Sequence, residues 1–309
     1  MKKRVKVLAM ILCLSLFATM AIASGESSSD SGKKTIVETD DTESAKTENT
    51  DDAESGSEKG GSEATIKEQV IIDKKGIKIT ATEYVSDSFM GDGVKLLVEN
   101  NTDKTYTVGC EALIVNDYMI NDLFVSEIAP GKKANETMYL SSEGLNAAGI
   151  KSVGKIEMYF HAYTTDDMDY LFKNELCEIQ TSEYGNMDTT PNDAGKELYN
   201  KKGVKIVGKT VDEDSFWGTS ILLYIENTSG KNIGVSVEEM SINGFMIDPA
   251  FSDTIFNQKK SIDNITIFSS DLEENGITSI DKVELKFHIY NADTYDTIAD
   301  SDVIKFSAK

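Results

Sequence analysis

Residues 214–227 read DSFWGTSILLYIEN, and residues 87–100 read DSFMGDGVKLLVEN. The offset between them is constant (214 − 87 = 127) and carries from 74–179 onto 201–306 without a gap. KKGIKI (74–79) matches KKGVKI (201–206), NDYMIN (116–121) matches NGFMID (243–248), and FHAY (160–163) matches FHIY (287–290). Each copy is long enough to bury a core of its own, unlike a solenoid unit that needs its neighbours. The repeat predicts two tandem modules, 66–182 and 197–309, joined by a polar linker at 183–196.

Inside each copy the apolar residues alternate. In ILLYIEN, Ile221, Leu223 and Ile225 point one way, while Leu222, Tyr224 and Glu226 point the other. VELKFHIY places Val283, Leu285, Phe287 and Ile289 inward and its polar residues outward. A strand with one apolar and one polar face belongs to an antiparallel sheet. The parity slips after Glu238, to Met240 and Ile242, and slips likewise from Tyr106, Val108 and Cys110 to Leu113 and Val115, which predicts a β-bulge in both copies. One helical signal stands out in SSDLEENGI (269–277), with a capping box at Ser270 and Glu273 and a stop at Gly276; Gly149 holds the same place in the first copy. About seven strands and one short helix per copy predict an all-β chain of two tandem immunoglobulin-like antiparallel β-sandwiches.

The strand-turn-strand segments LLVENNTDKTYTV and LLYIENTSGKNIGV, with the VNDYMIND and INGFMIDP turns, resemble immunoglobulin-like repeat modules of secreted Gram-positive bacterial proteins, including those grouped by likeness to mycobacterial immunoprotective antigens. The resemblance implies a sandwich, export and a binding or surface role, and brings no catalytic residues. It departs from lipoprotein members, because no lipid-accepting cysteine ends the leader.

At the N-terminus, Lys2, Lys3, Arg4 and Lys6 precede an apolar run that closes on Ala21-Ile22-Ala23. This predicts a signal peptide over 1–23, cleaved between Ala23 and Ser24. The alternative is an uncleaved anchor, for which the run is at the short end of the roughly 20 residues a span needs; contact with a membrane is expected only in that case. Cys13 lies deep inside the run, after Leu12. Residues 24–65 are Ser-, Gly-, Glu-, Asp-, Lys- and Thr-rich, with Ile36 and Val37 almost their only large apolar side chains, and predict a disordered acidic linker. The chain is expected to be secreted, or held at the cell surface with its modules on that spacer.

Candidate chemistry is sparse. Cys110 and Cys177 correspond to Val237 and Ile304, which reads as two small core residues; a disulfide is the alternative outside the cell. His161 and His288, the only histidines, sit beside Tyr163 and Tyr290 and read either as a cross-strand contact on a solvated face or as a pH-sensitive pair. With neither a nucleophile nor a partner acid legible beside them, no enzyme and no catalytic residue is expected. Asp293, Asp296, Asp300 and Asp302, with Asp166, Asp167 and Asp169, suggest calcium by ligand type, but the spacing of a calcium loop is missing, so neither metal nor cofactor is expected. A formal charge of -22 and a second copy without arginine exclude nucleic acid. Aromatic and methionine side chains at turns are the better lead: Phe89, Met90, Phe216 and Trp217 in one repeated turn, Tyr118 and Phe245 in the other. Exposed, they would anchor an extracellular protein, peptide or glycan; inward, they would close the ends of the sandwich cores. The expected function is a non-enzymatic interaction protein, with an extracellular proteinase inhibitor or envelope-protein stability factor as the alternative.

Overall fold

A computed structural model describes residues 33–38, 64–87, 90–120 and 124–308, and within them the alternating segments are strands. β1 (Lys33–Val37) joins the second half of the chain. In the first half, β2 (Gln69–Lys74), β3 (Ile77–Asp87) and β4 (Gly91–Asn100) lead to β5 (Tyr106–Val115), β6 (Tyr118–Ile120) and β7 (Val125–Ile128). Then come β8 (Lys133–Tyr139), the helix α1 (Ser142–Ala148), β9 (Lys155–Thr164) and β10 (Tyr170–Gln180). One layer runs β2-β3-β4-β8; the other runs β10-β9-β5, with β6 and β7 sharing the far edge of β5.

The second half repeats this plan. β11 (Lys196–Lys201), β12 (Val204–Ser215) and β13 (Gly218–Asn227) are followed by β14 (Ile233–Ile242), β15 (Phe245–Met246), β16 (Ser252–Ile255) and β17 (Lys259–Phe268). Helix α2 (Ser269–Glu274), β18 (Lys282–Asn291), β19 (Thr297–Asp300) and β20 (Ile304–Ala308) complete it. The bounds of β4, β5, β7 and β9 recur residue for residue, 127 positions on, in β13, β14, β16 and β18. The expected bulges are present as register shifts between Cys110 and Ala112 and between Glu238 and Ser241. The chain is predominantly β and sandwich-like, and no helix among the described residues is long and apolar enough to cross a membrane.

Two asparagines show why the polar turns recur. Asn100 and Asn227 are fully buried, and each donates from Nδ2 to two backbone carbonyls, those of Lys104 and Ile128 and those of Lys231 and Ile255. Their Oδ1 atoms accept from Thr102 and Ser229. Each amide thus satisfies carbonyls where the chain crosses between layers, so its burial costs little. Around these clamps Val94, Leu96, Val108, Leu113, Ile156 and Phe160 fill one core, and Ile221, Leu223, Val235, Ile242, Leu285 and Phe287 fill the other.

Two expectations need correction. First, the linker predicted over 24–65 is not irregular throughout. Residues 33–37 form β1, which pairs antiparallel with β12 through Lys33–Thr35 and with β20 through Ile36 and Val37, bridging the two layers of the second half. Ile36 is buried in that core, and it fits because Gly208 lies under it: a Cβ there would come within 2.7 Å of Ile36 Cδ1. Second, α2 starts at Ser269 with Phe268 at its cap and no side-chain cap bond, so Ser270 lies inside the helix. α1 is capped as a helix of this kind should be: Ser141 Oγ accepts from Gly144 N, and Gly149 closes it with a left-handed φ of 74°. The stretch predicted as a linker at 183–196 is hydrogen-bonded to both halves: Asn192 N donates to Tyr118 Oη, Asn192 Nδ2 to Ala147 O, and Lys209 Nζ to Asn192 O. The leader predicted over 1–23, the predicted Ala23–Ser24 cleavage site, and residues 24–32 and 39–63 of the predicted linker lie outside the described residues.

Candidate functional site

Strand direction sorts the predicted aromatic residues by position. β12 ends and β13 begins at the Phe216–Trp217 turn; Phe268, the last residue of β17, pairs with Gly218 at the start of β13; and β14 ends at Ile242, just before Phe245. All four aromatic residues therefore gather at one end of the second half. Phe216 is 85% exposed, Trp217 54%, Phe245 48% and its neighbour Met246 67%. The Phe216 and Trp217 rings meet edge to face, 4.9 Å between centroids, so they brace each other rather than the core. The sequence allowed these residues to close the core; the structure puts them in solvent. Met90 in the first half is 38% exposed, and Phe89 lies outside the described residues.

At the matching end of the first half, the turn that carries Tyr118 is docked. Tyr118, the counterpart of Phe245, is 5% exposed and so is not the exposed anchor the sequence suggested. It packs edge to face on Tyr224, with 6.5 Å between centroids, and Lys260 Nζ stands 5.3 Å over its ring. Tyr118 also pairs in parallel with Lys260, so β6 lies along the edge of β17. Val207 and Tyr224, on the outer face of the second half, join the apolar core of the first, while Met119 packs into the core of the second. Tyr159 meets Phe256 at 4.8 Å.

A charged network seals this junction. Lys259, 9% exposed, donates to Asp117 Oδ1 at 2.8 Å and to Glu157 Oε2 at 2.5 Å, and Lys155 adds contacts of 2.7 Å to Asp117 and 3.3 Å to Glu157. Burial works against the charged form of Asp117, but the hydrogen bonds from Lys155 and Lys259 prevail and hold its carboxyl below the usual range. Sequence reasoning missed the network because Lys259 lies 142 residues from Asp117 and 102 from Glu157, beyond any local pattern.

The remaining candidates separate from one another. Cys110 and Cys177 are not bridged. The Cys177 thiol points to Ile71 O and is pushed up to about 12 by burial, which makes it an unreactive core residue. His161 stacks on Tyr163 and His288 on Tyr290, each at an interplanar angle of 24°, so the His–Tyr contact runs along one strand rather than across two. Contrary to the sequence reading, each has an acid beside it: Glu111 Oε2 lies 3.3 Å from His161 Nδ1, and Asp300 Oδ1 lies 2.6 Å from His288 Nδ1. Gly109 and Gly234 let these rings lie flat on the sheet, since a Cβ at Gly109 would sit 2.5 Å from His161 Nε2 and one at Gly234 2.1 Å from Tyr290 Cζ. Asp296 accepts from Thr294 and Asp300 pairs with His288, and among the described residues no group of three acidic, histidine or cysteine side chains could hold a metal ion.

No protein-family model matches the chain, and no curated protein does. Among solved structures, the Salmonella enterica SafA pilin in complex with the SafB chaperone is similar with a TM-score of 0.22 and 10% identity, over 70% of this chain and 88% of that one. A likeness of that size carries no argument about this chain.

Proposed function

We propose that the chain is a secreted or surface-held, non-enzymatic interaction protein of a Gram-positive bacterium, built from two immunoglobulin-like modules, which docks an extracellular protein through the free end of the second. The layer order supports the module reading: β3-β4-β8 against β10-β9-β5-β7 follows the A-B-E and G-F-C-C′ arrangement of such sandwiches. One observation carries the docking claim. Phe245 and Met246 correspond by position to Tyr118 and Met119, which in the first half are pressed against folded protein, and Phe216 and Trp217 stand at the same end as Phe245 and Met246. A surface type that buries itself against a sheet in one copy and stands open in the other is suited to a protein partner. Aromatic rings fixed on a short turn supply contact area with little rotamer freedom to lose.

A photo-crosslinking amino acid at position 216 of the intact secreted chain tests this against the same label at Val70, an exposed residue on β2. The proposal expects a discrete protein adduct at the producing cell surface from position 216 only. Adducts of equal yield from both positions, or capture of glycan without protein, would contradict it. Inhibition of secreted proteinases by the chain would favour the inhibitor reading instead.

A further inference from the structure

The junction also holds a half-open cavity of about 380 Å³, walled by Cys110, Leu113, Met119, Phe256 and Ile262 and by three carboxylates, Glu111, Asp253 and Asp263. None of the residues lining it is basic. Asp253 and Asp263 come from the adjacent strands β16 and β17. Asp253 Oδ2 is sealed from solvent and has no hydrogen-bond partner, although Ser261 and Thr254 ease the charge on the same group. Asp263 Oδ1 accepts only the neighbouring Asn264 N–H, at 2.7 Å. Burial, reinforced by the charge of Asp253, pushes the Asp263 carboxyl up to about 7. Elsewhere in the junction each buried acid has its lysine; here two acids share a wall and nothing cationic answers them. The first half shows what a self-satisfied version looks like: the positions of Asp253 and Asp263 are occupied there by Ser126 and Glu136, and Ser126 Oγ donates to Glu136 Oε1 at 2.7 Å.

We propose that this cavity binds a compact organic cation, an alkylammonium or diamine, whose ammonium group meets the Asp263 carboxylate, with the charge of Asp253 close behind it, while its alkyl part lies against Phe256, Met119 and Ile262. The space is several times what one water needs; most of its lining is polar, and Met119, Phe256 and Ile262 give it one apolar side against which a short alkyl chain can lie. A bare metal ion fits less well, because it would need more oxygen ligands than this wall supplies. Glu111, kept ionised by His161, gives the far wall a further negative charge toward which a second ammonium of a diamine can point.

Isothermal titration of the intact chain with 1,5-diaminopentane at pH 7.5 tests the site, with 1-pentanol and calcium chloride as comparisons. The expected result is saturable binding at one site per chain and none for the alcohol. Lowering the pH to about 5.5 should weaken binding at least tenfold as Asp263 takes a proton; Asp253, and Glu111 with its partner His161, are the other ionisable groups around the cavity. The Asp253→Ser, Asp263→Glu double variant installs the pair of the first half and should lose binding tenfold or more while remaining folded. The single variant Asp263→Asn gives the same readout if that swap fails to fold. Absence of diamine binding, equal binding after the substitutions, or tighter binding of calcium than of diamine would overturn the proposal.

Discussion

Tyr118 and Phe245 stand at the same place in two copies of one turn, yet the first is buried against Tyr224 and the second is half exposed. Ser126 with Glu136, and Asp253 with Asp263, make a second such contrast, one pair bonded and the other left open. What the halves share is framework: the buried asparagine clamps, the bulges and the inward residues of each strand. What they do not share lies where their surroundings differ. On the outer face of the second half, Val207, Tyr224 and Ile262 form an apolar pad; the corresponding Thr80, Leu97 and Asn135 of the first half are more polar. The pad therefore receives the first half, and nothing equivalent invites another copy onto the first half's own outer face. At the free end of the second half, Phe216, Trp217 and Phe245 stay exposed.

Breaking the junction should have the largest effect. Lys259→Ala combined with Lys155→Ala leaves the buried Glu157, and Asp117 beside it, without either lysine, and a loss of about 3–5 kcal/mol is expected by denaturant titration. The matching Lys132→Ala, at an exposed position, should stay within about 0.5 kcal/mol. Ile36→Ala removes the buried side chain of the bridging strand and should cost about 2–3 kcal/mol by the same measurement.

The acid pair predicts a pH effect of opposite sign. Because the Asp263 carboxyl is raised to about 7, the folded state holds a proton that the unfolded chain releases near pH 4, so this group's stabilising contribution is complete below about pH 4 and lost as pH rises through about 7. Asp263→Asn should then raise stability at pH 8 by about 2 kcal/mol and by much less at pH 5, read as a shift in melting temperature at each pH. Asp117, held low, behaves conversely: its contribution is present above the ordinary carboxylate range and lost as the pH falls through its lowered pKa. Wild-type stability should accordingly peak near about pH 5.

Much of the framework was legible because it is local. Alternation in ILLYIEN and VELKFHIY places Ile221, Leu223, Leu285 and Phe287 in the core, and the parity slip marks both bulges. β1 was not legible, since KKTIV sits in an acidic, polar stretch and becomes a strand only because β12 and β20 offer it edges and Gly208 leaves room for Ile36. The candidate site was half legible. The turns were identified, but residue type could not say that Tyr118 turns onto a neighbour while Phe216 and Trp217 turn to solvent. Asp253 and Asp263 carry no motif, and their significance comes from the wall that the other half builds around them.

The central claim, that the second half's open end is a docking surface and not part of the core, is tested most directly by the Phe216→Ser, Trp217→Ser double variant. Its melting temperature and its retention on the producing cells would be measured beside the wild type. The account predicts a stability change within about 0.5 kcal/mol and a loss of retention of tenfold or more. Unchanged retention, or a large drop in melting temperature, would contradict it.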